Sequence, residues 1–210
     1  MGKTRLLRLF ALGIFGLALC GCSLGGTGTA QEKIQKKLTD MKSYSATANV
    51  TRISNKGENT YGTKQYYKTT GEYRLEMTSP AEVAGNYTVY DGKMVCQYNP
   101  KLESKVAVEV EENQARNELF LGQFVKNYLQ SEGVMVETAK LEEGRCTVLE
   151  AIIPGDYKYT ATEKLWIDNE TLLPVQMIIY DTDGNERYIT TYDEFEYNTE
   201  FDEDTFKIPE

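Results

Sequence analysis

Tyr87-Thr88-Val89-Tyr90-Asp91-Gly92-Lys93-Met94-Val95-Cys96-Gln97-Tyr98-Asn99-Pro100 reads as a hairpin. Two short runs rich in β-branched and aromatic residues flank Asp91-Gly92, a dipeptide suited to a type I′ turn, and Asn99-Pro100 turns the chain again. The same pattern extends both ways. Upstream, Tyr44 to Ile53 and Thr60 to Lys68 alternate about the turn Asn55-Lys56-Gly57, and Glu72 to Met77 is a strand stopped by Pro80. Downstream, Lys105 to Val110, Val134 to Leu141, Cys146 to Ile153, Tyr157 to Asp168, Pro174 to Tyr180 and Glu186 to Tyr197 are further strands. Glu142-Glu143-Gly144, Asn169-Glu170 and Asp181-Thr182-Asp183-Gly184 turn between them.

Two segments switch to helical spacing. Ala30 to Lys42 sets Ile34, Leu38 and Met41 on one face. Glu112 to Glu132 carries the stripe Leu119, Phe120, Phe124, Tyr128 and Leu129, with Gly133 as a C-cap. Roughly ten strands and two helices predict one mainly-β domain over residues 30–210, a strongly curved antiparallel sheet. The helices are the available covers for its concave face. Pro174 to Tyr180 is apolar on both faces, Val175, Met177 and Ile179 on one and Ile178 and Tyr180 on the other, which fits either a core on one side with a helix on the other or a cavity lined with apolar side chains. The tyrosines at 61, 66, 67, 73, 87, 90 and 98 are expected as cross-strand packing partners. Chain order suggests the region after Tyr188 as the open edge.

The chain has 210 residues, 40% of them hydrophobic, with 15 Tyr and 7 Phe, enough to fill a core. It has no histidine, which excludes Ser-His-Asp and Cys-His catalysis and His-ligated zinc. Asp181-x-Asp183-Gly184-x-Glu186 has its glycine and glutamate at the wrong places for an EF-hand loop and reads as a hairpin turn. Asp202-Glu203-Asp204 is a solvated charge run. A carboxylate pair could hydrolyse glycosides, but no pair among 32 acids stands out. No catalytic residue, cofactor or metal is expected.

The first residues form a targeting segment. Lys3, Arg5 and Arg8 precede an apolar run from Leu9 to Leu19, too short at 1.5 Å per residue to cross a bilayer. Leu19-Cys20-Gly21-Cys22 resembles a bacterial lipobox, with Gly21 as the small residue before Cys22; Leu19 is bulky for the same place before Cys20. Residues 1–21 are therefore expected to be a lipoprotein signal peptide, Cys22 the lipidation site, and 22–29 a short flexible tether. An ordinary signal peptide is the alternative. Residues 1–21 hold three basic residues and no acid, so the remainder has 20 basic against 32 acidic, a net charge of −12. Such a surface repels nucleic acid and anionic headgroups. Cys96 and Cys146 remain, either as a disulfide on the oxidising side of a membrane or as two buried thiols.

Asp91-Gly92-Lys93-Met94-Val95-Cys96-Gln97-Tyr98-Asn99-Pro100-Lys101-Leu102-Glu103 resembles the LolA family of lipoprotein carriers: an aspartate-glycine turn, a strand ending in aromatic-x-Tyr, then Asn/Asp-Pro and a Glu. Glu72-Tyr73-Arg74-Leu75-Glu76 followed by Pro80 resembles the strand before it, and Asp204-Thr205-Phe206-Lys207-Ile208-Pro209 the family's last strand. The resemblance implies an incomplete antiparallel β-barrel whose mouth is closed by helices. The chain departs from the family at Cys96, where carriers have an aromatic. Thr69-Thr70 stand where carriers have an Arg-Pro pair whose Arg is implicated in cargo release. A tethered chain also cannot ferry cargo between membranes.

The run from Glu118 to Glu132 is similar to the clostridial germination lipoproteins, which are LolA-like and lipobox-bearing. This similarity implies a non-catalytic binding partner of a cell-wall amidase that modifies spore cortex peptidoglycan, the amidase supplying zinc and hydrolysis. It places the chain on the extracytoplasmic face of the cell or forespore membrane. The alternative function is binding or carriage of a lipid or other apolar ligand in the barrel. Open sheet edges also permit a homodimer.

Overall fold

The computed structural model describes residues 28–209 except 112–113, 133–135 and 142–143. The signal segment, Cys22, most of the tether, Gly133 and the Glu142-Glu143 turn lie outside the described residues.

The elements are α1 (Ala30–Thr39), β1 (Ser43–Ser54), β2 (Gly57–Lys68), β3 (Tyr73–Ser79), β4 (Tyr87–Tyr90), β5 (Met94–Asn99), β6 (Ser104–Glu109), α2 (Leu121–Gln130), β7 (Val136–Leu141), β8 (Gly144–Tyr157), β9 (Thr160–Asp168), β10 (Pro174–Tyr180) and β11 (Glu186–Tyr197). The eleven strands form one sheet in the order β6-β5-β4-β3-β2-β1-β11-β10-β9-β8-β7. Each half is a meander of sequence neighbours. The seam between halves is the non-local β1–β11 pair, which runs from Tyr44↔Tyr197 to Arg52↔Tyr188 with an irregularity at Thr47/Ala48.

This seam moves the edges. The region after Tyr188 was expected to be open, but β11 lies mid-sheet between β1 and β10. The open edges are β6 and β7. Chain order misleads here because the last strand gains most by zipping onto the long first strand.

The quoted hairpin is β4–β5, with Tyr87↔Tyr98 and Tyr90↔Val95 paired. Its turn is not type I′, which needs two consecutive positive φ angles. Only Gly92 has one, at +99°. The Asp91 carboxylate supplies the rest, accepting from the backbone N–H groups of Lys93 and Met94 at 2.9 and 2.8 Å.

Register sorts the side chains onto two faces. Tyr44, Ala46 and Ala48 of β1 lie with Tyr67 of β2, Tyr73 and Leu75 of β3, Leu149 of β8, Leu165 of β9 and Met177 of β10 in one cluster beneath the helices. On the opposite, convex face, Val89 and Cys96 pack with Phe206. Phe206 comes from the segment expected as a last strand. Residues 203–206 are instead a turn, with Phe201 edge-on to Phe206 at 5.1 Å. Burying one ring over the convex face takes precedence over extending the sheet. Opposed tyrosines pack as expected: Tyr73 with Tyr90 at 5.6 Å and Tyr87 with Tyr98 at 5.2 Å.

The helix α1 opens with a full capping box between Thr29 and Glu32 and buries Ile34 and Leu38. Met41 lies past its end and is buried too.

Candidate functional site

The helix α2 determines what the concave face can do. Leu121, Phe124, Val125 and Tyr128 recur at helical spacing and are all buried. The helix was expected from Glu112 but begins at Leu121. Asn117 stops it from starting earlier, its side chain accepting from the Leu119 N–H at 3.1 Å in a turn that competes with helix. Phe120 provides no side-chain cap. The orphan Leu121 N–H donates instead to the Tyr44 hydroxyl at 3.0 Å, and that hydroxyl donates to Gln65 Oε1 at 3.1 Å. A tertiary contact with β1 thus caps the helix.

Gly122 lets the helix approach this closely: a Cβ there would lie 1.9 Å from Tyr67 Cε1. Phe120, Leu121 and Phe124 all have no solvent exposure. Among the described residues, the concave face under α1 and α2 is a filled core.

One polar cluster is set into that core. Asn127 of α2 donates to Glu163 Oε1 of β9 at 2.6 Å and to Glu118 Oε2 at 3.1 Å. Its carbonyl oxygen accepts from Arg116 Nη2 at 2.9 Å and Gln123 Nε2 at 3.2 Å. Arg116 also binds Glu118 Oε1 through Nε and Nη2. Glu163 is fully buried, and its Oε2 takes no hydrogen bond from the described residues; neither does the Tyr192 hydroxyl. Burial pushes the Glu163 carboxyl up to about 8, with nearby Glu118 adding to it and Asn127 and Arg116 opposing.

Glu163 was not singled out in the sequence. Its phase is the signal: it alternates with Leu165 and Ile167, placing an acid on the buried face of β9. It lies fully buried beneath α2, where it accepts from Asn127.

The other candidates separate. Cys96 on β5 and Cys146 on β8 are both buried, near opposite ends of the strand order, and are not joined in a disulfide. Burial pushes the Cys96 thiol up. Asp181 closes the β10–β11 hairpin by accepting from the Asp183 and Asn185 N–H groups at 3.0 and 2.9 Å. Thr69 and Thr70 lie in the β2–β3 turn, where Thr69 bonds the Lys42 carbonyl at 3.1 Å. Among the described residues no group of three or more Cys, Asp or Glu is placed to hold a metal ion. Beyond the helices, the β3–β6 arm leaves an open groove of about 320 Å³ lined by Leu75, Met77, Thr88, Gln97 and Val106.

A family profile described as sporulation protein YdcC-like matches residues 3–206. Among solved structures, the chain is similar to the GerS lipoprotein in the structure of the CwlD amidase from Clostridioides difficile in complex with GerS. The identity is 35% over 80% of this chain and 94% of that one, with a TM-score of 0.50. A conserved protein from Thermus thermophilus shares the fold at 18% identity, covering 86% of this chain and 95% of that one, with a TM-score of 0.55. A LolA superfamily protein from Nitrosomonas europaea is similar at 13% identity over 87% and 99% of the two chains, with a TM-score of 0.45. No curated protein matches the chain.

Proposed function

The chain belongs to the YdcC-like sporulation protein family, and from that premise we propose that it is a membrane-tethered, non-catalytic lipoprotein of spore germination that binds and activates a cortex peptidoglycan amidase. The observation that carries this reading is the 35% identity, over 80% of the chain, to the lipoprotein bound to the CwlD amidase. Two physical features support it. The concave face, where a carrier would hold an acyl chain, is occupied by Phe120, Leu121 and Phe124. Among the described residues, the carboxylate pushed furthest from its ordinary value, Glu163, is fully buried. Chemistry on the wall therefore belongs to the partner, and this chain contributes surface and placement.

Placement comes from the N-terminus. Residues 1–21 direct export, Cys22 carries acyl chains, and 22–29 tether the domain at residues 30–210 to the extracytoplasmic face of the membrane. Two acyl chains give stable anchoring where one gives only marginal binding. Cys22→Ser is expected to shift the protein from the membrane pellet to the soluble fraction of sporulating cells while its thermal unfolding stays the same. Continued sedimentation with membranes would contradict the lipid anchor.

The alternative, a lipid or other apolar ligand held in the fold, has the open groove by Leu75, Met77 and Val106 in its favour. Native mass spectrometry of the tagged chain, released gently from sporulating cells, decides between the two readings. A stoichiometric amidase subunit supports the partner reading; an acyl-sized adduct on the globular domain, beyond that on Cys22, supports the ligand reading.

A further inference from the structure

The open groove on the β3–β6 arm is built on one register row. Leu75 of β3 lies opposite Thr88 of β4, Thr88 opposite Gln97 of β5, and Gln97 opposite Val106 of β6. Directly opposed side chains on one face of a sheet stand about 5 Å apart, so the four form a continuous line. The line has an apolar residue at each end and two polar ones in the middle. Two residues along the same face Met77, Asn86 and Asn99 repeat the order, the Met77 N–H donating to the Asn86 carbonyl at 2.8 Å. All seven line the groove of about 320 Å³.

The polar stripe has hydrogen bonds to give. Among the described residues, the Thr88 hydroxyl and the Gln97 amide have no hydrogen-bond partner. Asn86 Oδ1 has none either. Asn99 Oδ1 accepts from the Lys101 and Leu102 N–H groups at 3.0 and 3.2 Å, which fixes its amide and leaves the N–H₂ end to donate. Neither row carries a charge. The neighbouring Glu76 and Lys105 alternate onto the convex face, where Glu76 meets Arg74 at 3.3 Å and Lys105 donates to the Pro209 carbonyl at 2.6 Å.

These features select the chemistry of a ligand. An anion would find no cation on the floor and the −12 net charge of residues 22–210 around it. A cation would find no carboxylate there. An acyl chain laid in the groove would cover Thr88 and Gln97 and leave their hydrogen bonds unmade, which is costly. A neutral sugar matches both kinds of surface, since a pyranose ring has hydroxyls around its rim and C–H groups on its faces. We infer that the groove binds a neutral, N-acetylated glycan strand. Its hydroxyl and acetamido groups bond Thr88, Gln97, Asn86 and Asn99, and its C–H faces and acetyl methyls rest on Leu75, Met77 and Val106. Val106 is 65% exposed, so this end of the floor is open to a polymer. The inference goes beyond the amidase reading and does not depend on it.

The test is calorimetric titration of the full-length chain, in detergent micelles, with tetra-N-acetylchitotetraose, an uncharged oligosaccharide that carries neither peptide nor lipid. One-to-one binding is expected. Gln97→Leu and Thr88→Val remove hydrogen-bonding groups at nearly constant size, and each should weaken binding roughly three- to tenfold. Gln97 is exposed and Thr88 half-buried, so thermal melting should stay the same and report that both variants fold. The sign of the Gln97→Leu effect separates a sugar from an apolar ligand, because the same change would improve a site for hydrocarbon. No heat up to the solubility limit of the saccharide, an affinity unchanged or raised in Gln97→Leu, or binding of free wall stem peptides in place of the saccharide would each overturn the proposal.

Discussion

Gly122→Ala is expected to destabilise the protein by about 3 kcal/mol, where forcing extra atoms into a packed core typically costs 1–3 kcal/mol. In an exposed helix the same change would stabilise by about 0.5–1 kcal/mol. Packing reverses that sign. The added Cβ would lie 1.9 Å from Tyr67 Cε1 and 2.4 Å from Cδ1 and Cζ. Tyr67 cannot swing aside, since it is buried between Tyr44 and Phe120 with ring centroids 5.7 Å away on each side. The helix must shift instead, straining the Leu121–Tyr44 and Asn127–Glu163 bonds that seat it. For a domain of this size 1 kcal/mol moves Tm by roughly 2–4 °C, so a drop of about 10 °C is expected in a thermal melt followed by circular dichroism. An unchanged or raised Tm would mean that α2 does not sit this close to β2.

Glu163→Gln has the opposite effect, and only at higher pH. The folded state holds this carboxyl at about 8 against an ordinary 4.5, so folding favours the protonated form. That contribution is complete below pH 4.5, declines as pH rises through the window to 8, and is absent above it. At about 1.4 kcal/mol per pH unit, the charged carboxylate costs on the order of 4 kcal/mol at pH 8 and beyond. Glutamine keeps the acceptor for Asn127 without a charge. The parent should therefore lose stability between pH 5 and 8 relative to the variant, with the two equal near pH 4. Taking the difference removes the effects of Asp168 and Asp181, whose hydrogen-bonded carboxylates are held low and titrate on the acid side. Urea titrations at pH 4.5, 6.5 and 8.5 check this, and parallel curves would refute a buried carboxyl at this place.

Both effects depend on contacts between segments distant in sequence, which marks where sequence reading ends. Strands β4, β10 and β11 begin and end as their alternation and turns predict, because hairpins are local. The start of α2 was not legible: its cap is a hydroxyl from β1, 77 residues away in the chain. Nor was the edge, because the β1–β11 seam joins the two ends of the chain. The helices were legible as covers for the concave face, but whether that face held a core or a cavity depended on Gly122 meeting Tyr67. The buried acid left a trace in the phase of β9, but Asn127 and Arg116, which hold its network, carry no pattern of their own.

We propose action through an amidase, without chemistry of the chain's own. Its most direct measurement is the release of peptide stems from purified cortex peptidoglycan by the cognate amidase, alone and with this protein at equal concentration. Little turnover is expected from the amidase alone, a rise of at least tenfold at one-to-one stoichiometry, and none from this protein by itself. An amidase equally active with and without it would contradict this partnership.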